Sequence, residues 1–380
     1  MLLRSERIVG PDGAQAGELT IEGGLIASVA PLSRDTRSDA IELGTHWVVP
    51  GYLDCHVHGG GGAQCNTSDA GEIAEVARFH VQHGTTGMLA TLLAAPQAEL
   101  EAGLRAIAQC PAPTLLGVHL EGPFLSPRRP GAMDAGAFLE PDEAQLERLL
   151  AAAAGRLRVM TLAPELPGAM GVIELLAHSG VVVSIGHSDA TDAEVRAAVR
   201  AGASSATHVF NAMPPLHQRV PGVVGAALDL PEVSCELICD GVHVDPVVMR
   251  LVYRAKGLAG VRLVTDATAA AGMPDGEYPL GGRAVSVTEG IALLKDAESI
   301  SGSTLTMEAA VQNAVRWLRI SVEEAVIMAS SNPARLLGLA DRKGAIRSGL
   351  DADLVVLDEE LAVRATMVAG EWRLGPNEAI

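Results

Sequence analysis

The chain of 380 residues carries 28 lysines and arginines against 46 aspartates and glutamates, a formal net charge of −18. Hydrophobic residues make up 48% of the chain and charged residues 19%. This composition excludes a disordered chain, a coiled coil and a collagen-like repeat, and the length allows either one large α/β barrel with a smaller module or two or three ordinary domains. So acidic a chain is a poor partner for nucleic acid or for an anionic membrane surface.

Targeting signals and cysteine pairs are not evident in the sequence. The first ten residues lack the apolar core of a secretory signal, and no apolar run is long enough to span a bilayer. The five cysteines are odd in number and scattered, and no CxxC pair occurs. We therefore expect reduced thiols, no membrane partner and a cytoplasmic location.

Short strand patterns interrupted by glycines occur at both ends of the chain. They cover residues 7–9, 18–22 and 25–29 near the start, and residues 352–357 and 366–368 near the end. The return of the same pattern predicts a small β-sandwich domain built from both termini, residues 1–48 and 346–380.

Between the termini, apolar strand patterns alternate with helical ones. The predicted strands are 47–57, 86–92, 114–120, 157–162, 181–185, 204–209, 236–239 and 262–265. The predicted helices are 70–83, 97–109, 142–154, 168–178, 192–201 and 246–256. A Gly-rich excursion at 272–283 and two helices at 304–318 and 322–337 follow. Eight such strands predict an α/β fold, a parallel (β/α)₈ TIM-type barrel over residues 49–345. An open-sheet oxidoreductase is disfavoured because no GxGxxG motif occurs.

Polar residues stand at the ends of five predicted barrel strands. They are His56 and His58, Glu121, His187, His208 and Asp266. His56 and His58 are two residues apart and so face the same side of a strand. Active sites of such barrels lie at the carboxyl ends of the strands, and imidazole and carboxylate are ligands of catalytic divalent metals. The pattern predicts a metal site at this rim.

The positions of His119 and of the three lysines limit which residues can bind the metal. His119 shares the face of Glu121 but lies deeper, so we expect a packing or supporting role for it. The chain has three lysines, Lys256, Lys295 and Lys343, and none ends an early barrel strand. A carboxylated lysine bridging two metals is therefore not available, and Glu121 is expected either to bind one ion or to bridge two.

Several motifs together resemble a known family. They are Pro50-Gly51-Tyr52-Leu53-Asp54, His119-Leu120-Glu121-Gly122-Pro123-Phe124, Gly186-His187-Ser188, Thr207-His208-Val209-Phe210-Asn211-Ala212-Met213, Asp240-Gly241-Val242-His243 and Thr265-Asp266-Ala267. Over nearly its whole length the chain resembles the N-acetylglucosamine-6-phosphate deacetylases of the amidohydrolase superfamily. The second and fourth segments are the most specific of these motifs.

The resemblance implies a role for each residue of the metal site. Glu121, His187 and His208 resemble the ligands of the main catalytic metal. His56 and His58 resemble the additional pair that lets some members hold a second metal, and Asp266 resembles the catalytic acid and base. The implied cofactor is a divalent metal, one or two ions per subunit, with Zn²⁺ first and Fe²⁺, Co²⁺ and Mn²⁺ as alternatives.

The resemblance also implies a phosphosugar substrate and a homodimer. The residues that match its substrate contacts are Ala132, Asn211, Ala212, Arg219, His243, Ile300, Ser301 and Gly302. Arg219 and His243 resemble the phosphate contacts, sometimes completed across a dimer interface, and the turn at 300–302 closes over the sugar in the family. One departure is Met133, where the family commonly has a histidine that touches substrate. A methionine cannot donate that hydrogen bond.

The predicted reaction is hydrolysis of N-acetylglucosamine 6-phosphate to glucosamine 6-phosphate and acetate. A metal-activated water attacks, and Asp266 acts as general base and then as general acid. Two alternatives stay open: another amide substrate, such as the galactosamine epimer or a cyclic amide, and a binding protein that kept the barrel. The second alternative is disfavoured because such relatives usually lose metal ligands or the aspartate after the eighth strand.

Overall fold

Eight parallel strands form a barrel in the computed structural model, which describes residues 1–34, 38, 40–294 and 299–376. Consecutive barrel strands pair with one another along the chain. These strands are β6 (Tyr52–Val57), β9 (Thr85–Leu93), β10 (Leu115–Glu121), β11 (Leu157–Leu162), β12 (Val182–Ile185), β13 (Ala203–Ala206), β14 (Ser234–Ile238) and β15 (Val261–Val264). A parallel bridge between Val57 and Ala267 brings the last strand back to the first. The predicted barrel fold is confirmed.

Helices cover the outside of the barrel and pack against its apolar strands. Those between strands are α1 (Ala70–Val81), α2 (Gln97–Gln109), α3 (Glu143–Ala153), α4 (Ala169–His178), α5 (Asp192–Ala201), α6 (Gly222–Asp229) and α7 (Pro246–Lys256). The later ones are α8 (Met307–Asn313), α9 (Val322–Val326) and α10 (Asn332–Leu336), with π-helical turns at Ala314–Leu318 and Ile327–Ser331. Helix α5 begins in a capping box between Thr191 and Glu194, which satisfies free N–H groups at its start.

The two ends of the chain meet in a second sheet, also of eight strands, as predicted. Its strands are β1 (Leu2–Gly10), β2 (Gly13–Glu22), β3 (Leu25–Pro31), β4 (Ala40–Glu42), β5 (Trp47–Pro50), β19 (Leu354–Leu357), β20 (Val363–Val368) and β21 (Glu371–Leu374). Strand β19 pairs antiparallel with β5, which joins the C-terminal strands to the N-terminal ones. Leu3, Ile26 and Leu354 belong to a hydrophobic cluster of this sheet's own.

The single strand predicted over residues 47–57 is wrong, because the structure divides it at Gly51. Trp47–Pro50 pairs within the terminal sheet, and Tyr52–Val57 is the first barrel strand. A Cβ atom on Gly51 would lie 2.1 Å from Oγ1 of Thr86, so only glycine fits at the crossing. The domain boundaries 1–48 and 346–380 against 49–345 stay a prediction.

The Gly-rich excursion contains a sheet that the sequence pattern did not indicate. Strands β16 (Gly276–Leu280), β17 (Arg283–Thr288) and β18 (Ile291–Leu294) are antiparallel, and a hairpin of β7 (Gly59–Gly60) and β8 (Ala63–Gln64) follows the first barrel strand. Leu280 and Val285 pack against Leu93 and Met133 at the mouth of the barrel. Within the described ranges, no helix has both the length and the hydrophobicity needed to cross a membrane.

Candidate active site

The strand ends bring the six predicted metal and catalytic residues together at one rim. The pair from β6 lies side by side, with the Nε2 atoms of His56 and His58 3.0 Å apart. On the other side, Oε1 of Glu121 lies 3.0 Å from Nε2 of His187 and 2.9 Å from Nε2 of His208. All these side chains are buried at the base of a pocket.

Three of the four histidine rings are oriented by a hydrogen bond at the opposite nitrogen. The Nδ1–H of His187 donates to the carbonyl of Arg129 at 2.9 Å, and that of His58 to the carbonyl of Thr91 at 3.2 Å. The Nδ1–H of His56 donates to the carboxylate of Glu236 at 3.1 Å. These bonds assign the proton to Nδ1, so each Nε2 presents a lone pair to the centre of the site.

The resulting donor set fits a divalent cation. Neutral Nε2 atoms only 3.0 and 3.2 Å apart face one another without a proton donor between them, so a cation is the group that satisfies their lone pairs. Ligands of a tetrahedral Zn²⁺ lie about 2.0–2.2 Å from the ion and hence roughly 3.3–3.6 Å from one another. The separations among Glu121, His187 and His208, 2.9–3.2 Å, are close to that range.

The two carboxylates of the site are ionised. Burial raises the pKa of Glu121, but the surrounding imidazoles of His56, His187 and His208 outweigh burial and lower it well below its usual range. Burial likewise raises the pKa of Asp266, and the neighbouring imidazoles of His56 and His58 outweigh burial and lower the pKa. Oδ1 of Asp266 lies 3.1 Å from Nε2 of His58 and faces the pocket. An ionised carboxylate there can accept a proton.

Backbone strain is concentrated at the same strand ends. His187, His208, Ala212 and Asp266 all adopt positive φ angles, of 46°, 25°, 50° and 52°. Such conformations cost a non-glycine residue about 1–3 kcal/mol and persist where the surrounding structure holds them. All four residues were predicted to belong to the site, and the strain aims their backbone and side chains at the pocket.

Above the metal-ligand residues lies a cavity of about 360 Å³. Its lining includes eleven of the predicted residues: His58, Glu121, Ala132, His187, His208, Asn211, Ala212, His243, Asp266, Ile300 and Gly302. His56 lies beneath the pocket, and Ser301 and Arg219 are not in its wall. Arg219 stands in an exposed loop, where its backbone N–H donates to His217.

His243 lines the pocket and is held by an acidic neighbour. Its Nδ1–H donates to Asp240 at 2.6 Å, and Asp240 also accepts the backbone N–H groups of Val242 and His243. Burial lowers the pKa of His243, but the Asp240 carboxylate outweighs burial and raises it above its usual value. The ring therefore keeps its cationic form to a higher pH than an ordinary imidazole does.

The departure at Met133 gives the pocket an apolar wall. Met133 is buried and packs with Leu93 and Leu280, and all three line the cavity. Arg283 of β17 donates to the carbonyls of Ala132 and Met133, at 3.1 and 3.5 Å, and so fixes this loop against the three-stranded sheet. Leu93, Leu280 and Arg283 were missed because nothing in their local sequence marks them as pocket residues.

Beneath the rim, His119 takes the supporting position that we expected. Its Nδ1 faces the carbonyl of Cys55 at 3.1 Å, and its Nε2 faces Oγ1 of Thr161 at 2.7 Å. Its ring contacts that of His56 edge to face. Glu236, the partner of His56, was missed because it lies in the middle of strand β14, whereas the predicted site residues all stand at or after the ends of strands.

A parallel barrel with histidines and carboxylates gathered at the carboxyl ends of its strands is the architecture of metal-dependent barrel hydrolases. The amidohydrolase family profile matches residues 47–373, and the chain belongs to this family. An N-acetylglucosamine-6-phosphate deacetylase from Lysinibacillus sphaericus is 38% identical, covering 99% of this chain and 98% of its own. An N-acetylgalactosamine-6-phosphate deacetylase from Escherichia coli O157:H7 is 37% identical, covering 97% and 98%.

Solved structures give the same assignment. A mutant N-acetyl-D-glucosamine-6-phosphate deacetylase from Mycobacterium smegmatis, in complex with N-acetyl-D-glucosamine-6-phosphate, superposes with a TM-score of 0.95 at 38% identity, covering 99% of both chains. The N-acetylglucosamine-6-phosphate deacetylase from Thermotoga maritima superposes with a TM-score of 0.89 at 35% identity, covering 98% of this chain and 99% of its own. The resemblance seen in the sequence motifs is confirmed.

Proposed function

We propose that the protein hydrolyses the acetamide of N-acetylglucosamine 6-phosphate, giving glucosamine 6-phosphate and acetate. The observation that carries this proposal is the position of Asp266. Its Oδ1 lies 3.1 Å from Nε2 of His58, beside Glu121, and faces a cavity large enough for a sugar phosphate. The similarity to deacetylases over the whole chain supports the same reaction.

Glu121, His187 and His208 would hold one divalent ion, and His56 and His58 a second. Such an ion polarises an amide carbonyl and lowers the pKa of water toward about 7. Zn²⁺ is the first candidate because histidine nitrogen with a carboxylate is its usual catalytic ligand set, and Fe²⁺, Co²⁺ and Mn²⁺ accept the same ligands.

Asp266 carries the proton transfers of the reaction. As an ionised carboxylate it accepts a proton from the attacking water, at its Oδ1. It then returns this proton to the nitrogen of the departing amine, which is a poor leaving group until it is protonated.

The remaining lining residues orient the sugar. Asn211 is fixed by its Nδ2–H groups, which donate to the carbonyls of His208 and Val209. We assign contacts with the sugar to Asn211 and to the backbone of Ala132 and Ala212, and contacts with the phosphate to His243. The turn at Ile300, Ser301 and Gly302 covers the sugar. Remote phosphate binding positions the amide for attack and so raises kcat/KM.

A homodimer completes this proposal, because Arg219 does not reach the pocket of its own chain. Exposed apolar side chains lie in this loop and, further along the chain, before and on helix α7. They are Leu216, Val220, Val242, Val247 and Leu251. An exposed apolar patch of this kind marks an interaction site, and an isologous dimer is the commonest soluble assembly. We assign Arg219 to the phosphate site of the partner subunit. The cytoplasmic location stays a prediction, supported by five buried, unpaired cysteines.

The test is release of free amine from four sugars by the metal-loaded protein. They are N-acetylglucosamine 6-phosphate, its unphosphorylated form, and the two corresponding galactosamine compounds. We expect fast release from the glucosamine phosphosugar alone. The galactosamine epimer is included because the relative that acts on it is as similar as the others. Faster release from that epimer would reassign the substrate, and release from none would exclude this deacetylase function.

A further inference from the structure

Glu236 lies outside the pocket, yet it contacts a metal-ligand residue from each group. It stands on β14, at the level of the strands below the rim, and its side chain is fully buried. Oε2 accepts the Nδ1–H of His56 at 3.1 Å and the backbone N–H of His208 at 3.2 Å. One carboxylate therefore links the two histidine groups from beneath.

The contact with His56 differs in kind from those of the other rings. Among the described residues, the Nδ1–H groups of His58 and His187 meet backbone carbonyls, and Nδ1 of His208 has no partner. His56 alone donates to a carboxylate. A carboxylate behind a ligand histidine fixes its tautomer and raises the basicity of its other nitrogen. Nε2 of His56 is thus the most strongly donating nitrogen of the set.

The guanidinium group of Arg262 stabilises the buried carboxylate of Glu236. Nη2 of Arg262 lies 3.6 Å from Oε1 of Glu236, and Arg262 is itself buried and held by the hydroxyls of Ser205 and Ser234. Burying a charged pair is costly, and apolar residues of the same volume often serve stability as well or better. The Arg262–Glu236 pair is fully buried, and its carboxylate binds His56 instead of water. This arrangement points to a role at the metal site.

We propose that Glu236 is a positioning residue that makes the His56–His58 pair a separate site for a second metal ion. It holds His56 with its proton on Nδ1 and strengthens Nε2 as a ligand, without touching substrate or ion. The proposal extends the metal-dependent function proposed above. Its test counts bound ions, so a protein that binds two ions but leaves the phosphosugar intact would refute the function and keep this proposal.

The test is Zn²⁺ binding to metal-free Glu236→Gln, measured by competition with a chelating dye and by elemental analysis of the dialysed protein. A glutamine keeps the shape and an acceptor oxygen but removes the charge. The wild type should bind two ions per chain. The variant should keep the affinity for the first ion and bind the second at least about 10-fold more weakly. A wild type that binds one ion, or a variant with both affinities unchanged, would overturn the proposal.

A double-mutant cycle separates positioning from general damage. His56→Ala removes the ligand itself, so adding Glu236→Gln to it should weaken the second ion no further. Additive losses would show that Glu236 acts elsewhere and would overturn the proposal. Glu18→Gln is the matched control: Glu18 is a buried carboxylate bonded to Arg4 in the terminal sheet, and its removal should leave both ions bound.

Two measurements keep the proposal testable if Glu236→Gln does not fold. Glu236→Asp keeps the charge and should still bind two ions per chain, whereas a folded Glu236→Asp that binds one ion would count against the role of this carboxylate. In the metal-loaded wild type labelled with ¹⁵N-histidine, nuclear magnetic resonance should show His56 protonated at Nδ1. A proton on Nε2 of His56 would overturn the assignment without any variant.

Discussion

Oε2 of Glu121 lies 3.3 Å from Nε2 of His58, on the side of the carboxylate that faces away from His187 and His208. The other oxygen, Oε1, lies about equally close to those two histidines, at 3.0 and 2.9 Å. One carboxylate thus lies within contact distance of both histidine groups, the His56–His58 pair and the His187–His208 pair. Of the two roles that the sequence left open for Glu121, the bridge is the one this geometry favours.

Glu121→Gln should therefore lower the metal content at both positions. An amide donates through a neutral oxygen and cannot replace an anionic ligand shared between two cations. We expect fewer than half of the wild-type ions after dialysis, and turnover lower by at least about 10²-fold. Elemental analysis and amine release measure the two effects. Glu101→Gln, on the outer helix α2, is the control, and full metal occupancy in Glu121→Gln would contradict the bridge.

Asp266→Asn should separate metal binding from proton transfer. The amide keeps the size of the side chain but has no basic oxygen, so the proton of the attacking water has no acceptor. We expect near-normal metal content and turnover lower by at least about 10²-fold, measured on the phosphosugar. Turnover close to that of the wild type would refute the role of Asp266 as base and acid.

Phosphate recognition by His243 should depend on pH in one direction. Because Asp240 raises its pKa above the usual value near 6.5, the cationic form persists to higher pH and is lost as pH rises through the raised pKa. The ring faces Asp240 and, across the pocket, Asp266. We expect KM for the phosphosugar to rise above that pKa, while KM for the unphosphorylated sugar does not follow.

The matched variant for this effect is His243→Asn, which keeps a hydrogen-bond donor but not the charge. It should lose most of the preference for the phosphosugar and show no such rise of KM with pH. A wild-type pH profile retained in His243→Asn would assign the titration to another group.

Met133→Ala should affect both stability and binding. The side chain is buried against Leu93, Leu280 and Val285, so truncation leaves a cavity and should cost about 2–5 kcal/mol of unfolding free energy. Met133→Leu conserves the volume and should cost less than about 1.5 kcal/mol. Urea unfolding compares the two variants, and equal stabilities would show that Met133 does not support the wall. We expect KM to rise in the alanine variant because the loop of Ala132 loses its packing.

The proposed dimer is tested with Leu251→Asp, on the exposed face of α7. A buried unpaired carboxylate disfavours association, so light scattering should give the mass of a single chain. The monomer should retain its metal ions and lose part of its preference for the phosphosugar, because Arg219 no longer reaches a partner's pocket. Leu25→Asp, an exposed leucine of the terminal sheet, should leave the mass unchanged.

The barrel and its rim residues were predictable because they repeat a local rule. Apolar strands alternate with amphipathic helices, and polar residues such as His187 and His208 follow strands at the same relative position. Helix α6 has no such signal: Gly222 and Gly225 lie among valines and alanines, and glycine and valine favour helix poorly. The three-stranded sheet was hidden by its glycine-rich flanks.

The supporting contacts were beyond local patterns for a different reason. Glu236 meets His56 across 180 residues of chain, and Arg283 meets Ala132 across 151. No sequence pattern links the two residues of either pair, because they come into contact only when the barrel closes. The prediction of one strand over residues 47–57 was wrong for the same reason. Both halves are apolar and buried, and only the position of Thr86 shows why the chain must pass from the terminal sheet to the barrel at Gly51.

The pairing of β5 with β19 also determines when the terminal sheet can form during protein synthesis. Strand β5 leaves the ribosome early, but the strand that covers its edge, Leu354–Leu357, is among the last segments synthesised. Until then, the first sheet exposes an apolar edge strand, which is a site for unwanted pairing. The growing chain is therefore most vulnerable to aggregation when its barrel is already nearly complete, and chaperone dependence should fall once Leu357 has emerged.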